Sequence, residues 1–153
     1  MALNDFIIDP KDAQRILIGA SGKLGPMEFA QGLVAIVAAA IVLQFIALVP
    51  AIGGLINLVG SLALLFCWVC IFAKRFHDAG QSGWMAGAAF VAMIVISIVL
   101  SIILMPVIVG ASLSNPAGYQ AAGLSAALVS IIISVVANGA VGFYAYRLKP
   151  AAV

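Results

Sequence analysis

Charged residues are scarce in this sequence. Asp, Glu, Lys and Arg together make up 8% of the 153 residues, whereas hydrophobic residues make up 65%. A typical soluble domain carries about a quarter charged residues, so lipid rather than water is the expected solvent for this chain. The sequence also lacks a basic run and any interleaving of basic with aromatic residues, and we expect no nucleic-acid partner.

Cysteine and histidine are nearly absent as well. Cys67 and Cys70 both fall within an apolar stretch, where cysteines usually behave as small hydrophobes. The chain has one histidine, and a zinc-type site normally needs three or four ligands. We therefore predict no metal site and no cofactor. Asp5, Asp9 and Asp12 stand where a secretory signal is positively charged, so a signal peptide is not expected.

Two long runs contain no charge at all, from Phe29 to Ala73 and from Ala79 to Tyr146. About 20 residues suffice to span a membrane as a helix, so each run must fold back once. Residues rich in Pro, Gly and Asn interrupt both runs, at Pro50–Gly54 and Ser112–Gly118. The sequence predicts a segment at 1–28, a transmembrane domain at 29–149 with helices at about 29–49, 54–73, 84–109 and 121–146, and a tail at 150–153.

Basic residues indicate the orientation. A four-span topology places all seven of them on one side of the membrane, and the positive-inside rule makes that side cytoplasmic. We therefore expect a multi-pass protein of the bacterial inner membrane with both the N- and C-termini in the cytoplasm. The seven are Lys11, Arg15, Lys23, Lys74, Arg75, Arg147 and Lys149.

The first 28 residues differ in character from the rest. Asp9 can cap a short helix that has Pro10 at its first position and Asp12 in its first turn. Apolar residues then recur at helical spacing, which favours an amphipathic helix lying on the inner leaflet. The predicted fold is all-α: an integral membrane antiparallel four-helix bundle with a short N-terminal interfacial helix.

The segment between the second and third predicted spans is the richest in chemistry. We predict a loop here, in which Gly80 ends one helix, Ser82 caps the next and Trp84 lies at the membrane interface. Its distinctive residues, which we predict to bind a partner or lipid, are Lys74, Arg75, His77, Asp78, Gly80, Ser82, Gly83 and Trp84.

These residues follow the pattern Arg-x-His-Asp-x-Gly-x-Ser-Gly-Trp. In this pattern and its place before the third span, the chain resembles the YhaH-type family of small bacterial inner-membrane proteins, a domain of unknown function. Two positions that flank this pattern depart from the family. Lys74 stands where the family has arginine, and Met85 stands where it often has a second tryptophan. The resemblance implies four transmembrane helices and an inner-membrane location, and it implies no activity.

Two interpretations of this segment remain open. His77 and Asp78 could form an acid–base pair, because histidine titrates near neutral pH. Alternatively, Arg75, His77 and Asp78 form a structural cluster of polar side chains that holds the helical hairpin together and binds lipid phosphate. We favour a non-enzymatic accessory or scaffold protein that binds a membrane-protein partner, another copy of itself or membrane lipids. A lipid-modifying enzyme that uses His77 and Asp78 is an alternative.

Uncharged polar residues also occur inside the predicted spans. Small and polar side chains along a helix usually let neighbouring helices approach and share hydrogen bonds, and we favour this packing role. The alternative is a small channel or transporter with an uncharged pore. The residues in question are Gln44, Asn57, Ser97, Ser134 and Asn138.

Overall fold

The computed structural model describes residues 10–109 and 118–151, with side chains described over 11–106 and 125–151. This part of the chain is all-helical and has no strand, which confirms the predicted all-α class. The predicted cap Asp9 and nearly all of the predicted turn Ser112–Gly118 lie outside the described residues. The helices are α1 (Pro10–Leu17), α2 (Pro26–Ile46), α3 (Gly53–Asp78), α4 (Met85–Val109) and α5 (Gly118–Arg147).

Four of these helices are long and apolar enough to cross a membrane. They are α2, α3, the part of α4 from Met85 to Pro106 and the part of α5 from Ser125 to Arg147. A helix rises about 1.5 Å per residue, so each of these lengths matches a hydrocarbon core of about 30 Å. The described part of the chain thus has the four long apolar helices of a multi-pass membrane protein, as the charge-free runs predict.

Helix α3 extends further than the sequence predicts. It continues through Lys74 and Arg75 to Asp78, whereas the predicted helix ends at Ala73. Charged residues that follow a membrane span normally lie in a loop outside the membrane. Here Lys74 and Arg75 are only 3% and 0% exposed, because they bond to other parts of the protein without leaving the helix.

The core surrounds this last part of α3. Every residue from Cys70 to Phe76 is buried, because α3 contacts α1, α2, α4 and α5. The Phe29 and Phe72 rings meet edge to face with centroids 4.9 Å apart, and Trp68 stacks on Phe72 at 3.9 Å. Helix α4 has a very different environment, since only 6% of its spanning window is buried. The end of α3 therefore holds the longest unbroken run of buried residues in the described part of the chain.

Candidate functional site

Arg75 binds the end of a different helix. Its Nε donates a hydrogen bond to the carbonyl oxygen of Ala145 at 3.1 Å, and Nη2 donates to the carbonyls of Tyr146, at 3.0 Å, and Leu148. The last four carbonyls of a helix have no partner within that helix, and a cation is favourable at this negative end of the helix dipole. The fully buried guanidinium thus caps α5.

Asp78 completes this arrangement. Its Oδ2 lies 2.5 Å from Nη1 of Arg75, one helical turn earlier. Its main-chain carbonyl accepts a hydrogen bond of 2.8 Å from the N–H of Ala151. The carboxylate balances the guanidinium charge, and the carbonyl fastens the C-terminal tail to the end of α3.

Lys74 caps the C-terminal end of α1 as Arg75 caps that of α5. Its Nζ donates to the carbonyl oxygens of Arg15 at 2.6 Å, Ile16 at 2.7 Å and Ile18 at 3.5 Å. Two adjacent cations therefore hold two different helix ends against α3. We call this region the charged end: residues 10–28, 74–84 and 147–151.

A tight turn connects α3 to α4 at the charged end. Gly80 has a φ of +70°; its N–H donates to His77 O at 3.1 Å, and the N–H of Gln81 donates to Phe76 O at 2.8 Å. This is the Schellman pattern of a helix C-terminus. Ser82 precedes α4: its carbonyl accepts a hydrogen bond from the N–H of Met85 at 3.0 Å, and its Oγ accepts one from the N–H of Trp84 at 3.4 Å.

His77 stands apart from this network. Its imidazole packs on Gly83, where an added Cβ would lie 2.8 Å from Nε2. Within the described part of the chain no hydrogen bond joins the imidazole to Asp78, whose carboxylate is taken by Arg75. The imidazole instead faces an open groove of about 450 Å³, with Trp84, 88% exposed, at its edge. The other lining residues are Ala20, Val69, Ala73, Gly83, Ala86 and Gly87.

The outward-facing cations are residues from which the sequence predicts only the orientation in the membrane. Lys23, Arg147 and Lys149 are exposed, and none of them has a carboxylate partner among the described residues. The Arg147 guanidinium lies 5.6 Å from the centroid of the Phe143 ring. Their exposure, rather than any motif, is what identifies them as available for binding.

Arg15 at the charged end is paired instead. Its Nη2 lies 2.5 Å from the Glu28 carboxylate and its Nε 3.4 Å from that of Asp12. The hydrogen bond to Glu28 is the main cause that raises the pKa of Arg15 above its ordinary value. This pair links α1 to the first turn of α2.

The residues predicted for packing or for a pore do not meet at one place. Asn138 accepts a hydrogen bond of 2.8 Å from Trp68 Nε1 and donates one of 2.9 Å to Ser134 O. Ser134 and Asn138 line a groove of about 270 Å³. Asn57 donates to Leu43 O at 3.0 Å, and its position on α3 is about 16 Å along the helix axis from that of Trp68.

The other two residues of this set are half-buried. Gln44 on α2 and Ser97 on α4 are of intermediate exposure, and neither lines the groove beside Asn138. The structure thus brings Ser134 and Asn138 together and leaves Gln44, Asn57 and Ser97 elsewhere.

Comparison with known proteins gives a family and no function. No curated protein and no solved structure matches the chain. A family model described as a protein of unknown function, DUF805, matches residues 17–121. The match covers about two thirds of the chain and includes the whole turn from Lys74 to Trp84. The chain therefore belongs to the DUF805 family of proteins of unknown function.

Proposed function

We propose that this protein is an accessory or scaffold protein of the bacterial inner membrane. It binds a membrane-protein partner or lipid through its charged end, which faces the cytoplasm. The single observation that carries the proposal is that the polar chemistry of the described chain is concentrated there. The described turn at the opposite end, residues 47–52, carries no charge.

An antiparallel arrangement of the four long helices is part of the proposal. Contacts between α2 and α3 support it, because Phe29 near the start of α2 meets Phe72 near the end of α3. Leu43 near the end of α2 bonds to Asn57 near the start of α3. The bond from Arg75 to Ala145 likewise brings together the ends of α3 and α5. All seven basic residues then share one side, which the positive-inside rule assigns to the cytoplasm.

The charged end has the properties of a binding surface. Lys74 and Arg75 fix the ends of α1, α3 and α5 by bonds that are satisfied inside the protein. The exposed cations and the exposed Trp84 are therefore carried on helix ends whose positions are already fixed. Tryptophan and arginine dominate binding energy at protein interfaces, and basic residues beside a membrane attract anionic lipid head groups.

The proposal is tested by replacing outward-facing residues only. A variant carrying Trp84→Ala together with Lys23→Ala, Arg147→Ala and Lys149→Ala removes the exposed groups and keeps the buried bonds. Because such groups dominate interface energy, native mass spectrometry after gentle extraction is expected to show about tenfold less bound partner. The identity of the partner is read from the same spectra.

The matched control changes exposed apolar residues in the middle of the spans. Val99 and Ile132 are 49% and 50% exposed, and their replacement by alanine leaves the charged end untouched. We expect the partner to stay bound to this control. If the wild type and the four-residue variant run as the same bare species, or if the control loses the partner equally, the proposal is wrong.

A small uncharged pore is the second candidate. The observation in its favour is that Ser61, Ser134 and Asn138 all line one groove within the spans. Flux of water or small neutral solutes into proteoliposomes, reduced by Asn138→Leu, is the result this function requires. Vesicles that are as tight as protein-free ones reject it.

A further inference from the structure

The groove beside His77 is not explained by the packing of the charged end. We propose that it holds one phospholipid molecule, whose acyl chain lies along the wall between α3 and α4 and whose anionic phosphate lies beside the imidazole. This deepens the proposed function by naming a ligand class, and it rests on that proposal for the orientation of the charged end in the membrane.

Small side chains create the groove. On α3 the lining residues Val69, Ala73 and His77 follow at steps of four and so share one face. On α4 the wall is formed by Ala86 and Gly87, and a Cβ added at Gly87 would meet no atom within 4 Å. A larger side chain at Gly87 could therefore enter this space without a clash.

The groove connects the charged end to the lipid-facing surface. Trp84, 88% exposed, stands at its edge, and an exposed tryptophan is typical of the level of the lipid head groups. At its other end the lining residue Val69 is 38% exposed, and it adjoins the 57% exposed Phe66 on the preceding turn of α3. An acyl chain that enters here is continuous with the surrounding bilayer.

Charge complementarity selects an anionic head group. None of the described residues that line the groove is acidic, and the His77 imidazole has no hydrogen-bond partner among the described residues. Lys74 lies one turn away on α3 and bonds to main-chain carbonyls rather than to a carboxylate. The Asp78 carboxylate beside His77 is paired with Arg75. A phosphate beside His77 therefore gains both a hydrogen-bond donor and a favourable potential.

The test uses the full chain in nanodiscs that contain equal amounts of phosphatidylglycerol and phosphatidylcholine. Native mass spectrometry is expected to find one phosphatidylglycerol retained per wild-type chain. Gly87→Leu fills the groove, and retention is expected to fall by about tenfold because the lipid now meets a steric clash. His77→Ala is expected to lower the preference for phosphatidylglycerol over phosphatidylcholine, because a hydrogen bond to a charged group is lost.

The matched control is Gly139→Leu. Gly139 lines a different apolar groove, between α2 and α5, and a Cβ there also meets nothing within 4 Å. Retention by this variant is expected to equal that of the wild type. Glycine replacement inside a helix normally favours the folded state, and thermal unfolding of both variants verifies that they fold.

Several outcomes overturn the proposal. Equal retention by Gly87→Leu and the wild type, or an equal loss in Gly139→Leu, rules out the groove as the lipid site. Displacement of the lipid by excess glycerol phosphate, which has no acyl chain, reassigns the site to a soluble phosphate. A protein partner that stays bound to Gly87→Leu leaves the scaffold function standing, so the two proposals can fail separately.

Discussion

At the scale of single residues, Lys74 and Arg75 show how a membrane protein accommodates buried cations. An unpaired buried charge is very unfavourable. Here the acceptors are the carbonyls at the ends of α1 and α5, which need donors in any case. Each cation satisfies several such carbonyls at once. Both side chains are engaged inside the protein, and their predicted role in binding a partner or lipid stays a prediction.

We expect Arg75→Ala to destabilise the fold strongly. The change leaves the Asp78 carboxylate and the carbonyls of Ala145 and Tyr146 without their donor. Breaking a buried charge pair costs about 3–5 kcal/mol. Unfolding of the purified protein in mild detergent, titrated with a denaturing detergent, measures the loss.

Arg147→Ala is the control for this prediction. Arg147 also lies at the charged end but is exposed, and its side chain only covers the Phe143 ring. Its removal is expected to change the free energy of unfolding little. Equal destabilisation by the two substitutions would show that the internal bonds of Arg75 are not what stabilises this end.

At the scale of the helices, the turn between α3 and α4 accounts for most of the sequence pattern that singles out this segment. Gly80 supplies the left-handed residue that ends α3, and Gly83 leaves room for the His77 ring. Ser82 provides the acceptors that begin α4. These positions thus have structural reasons for their residue types, whether or not the segment also binds a ligand.

Gly80→Ala is expected to destabilise this turn. A left-handed conformation costs about 1–2 kcal/mol for a residue that has a Cβ, and the new Cβ would lie 2.9 Å from that of Ala151. We expect a lower unfolding midpoint and faster hydrogen exchange at the N–H of Ala151. Gly54→Ala is the control, because an added Cβ there meets nothing within 4 Å. An unchanged midpoint for Gly80→Ala would contradict the prediction.

The ends of the helices were harder to predict than their existence. The charge-free runs locate all four spans, because lipid excludes charge over a length that the sequence reveals directly. The end of α3 depends on carbonyls of Ile16 and Ala145, which are 58 and 70 residues away along the chain. No local spacing encodes such partners. The bond between Trp68 and Asn138, 70 residues apart, is likewise not encoded in any local pattern.

At the scale of the whole molecule, the proposed topology predicts the location of fused reporters. Green fluorescent protein fused after Val153 is expected to fluoresce, and alkaline phosphatase at the same place to be inactive, because the positive-inside rule puts this end in the cytoplasm. Phosphatase inserted within residues 112–117, between α4 and α5, is expected to be active. Active phosphatase at the C-terminus would reverse the orientation.

The two buried cations obtain their partners at different times during synthesis of the chain. Both partners of the contact between Lys74 and α1 exist once α3 has been made. The carbonyls that Arg75 requires are synthesised about 70 residues later. During that interval the described partner of Arg75 that has already been synthesised is Asp78, three residues away. Until α5 is made, Arg75 therefore lacks the carbonyl acceptors of Ala145 and Tyr146, and its buried charge is only partly satisfied.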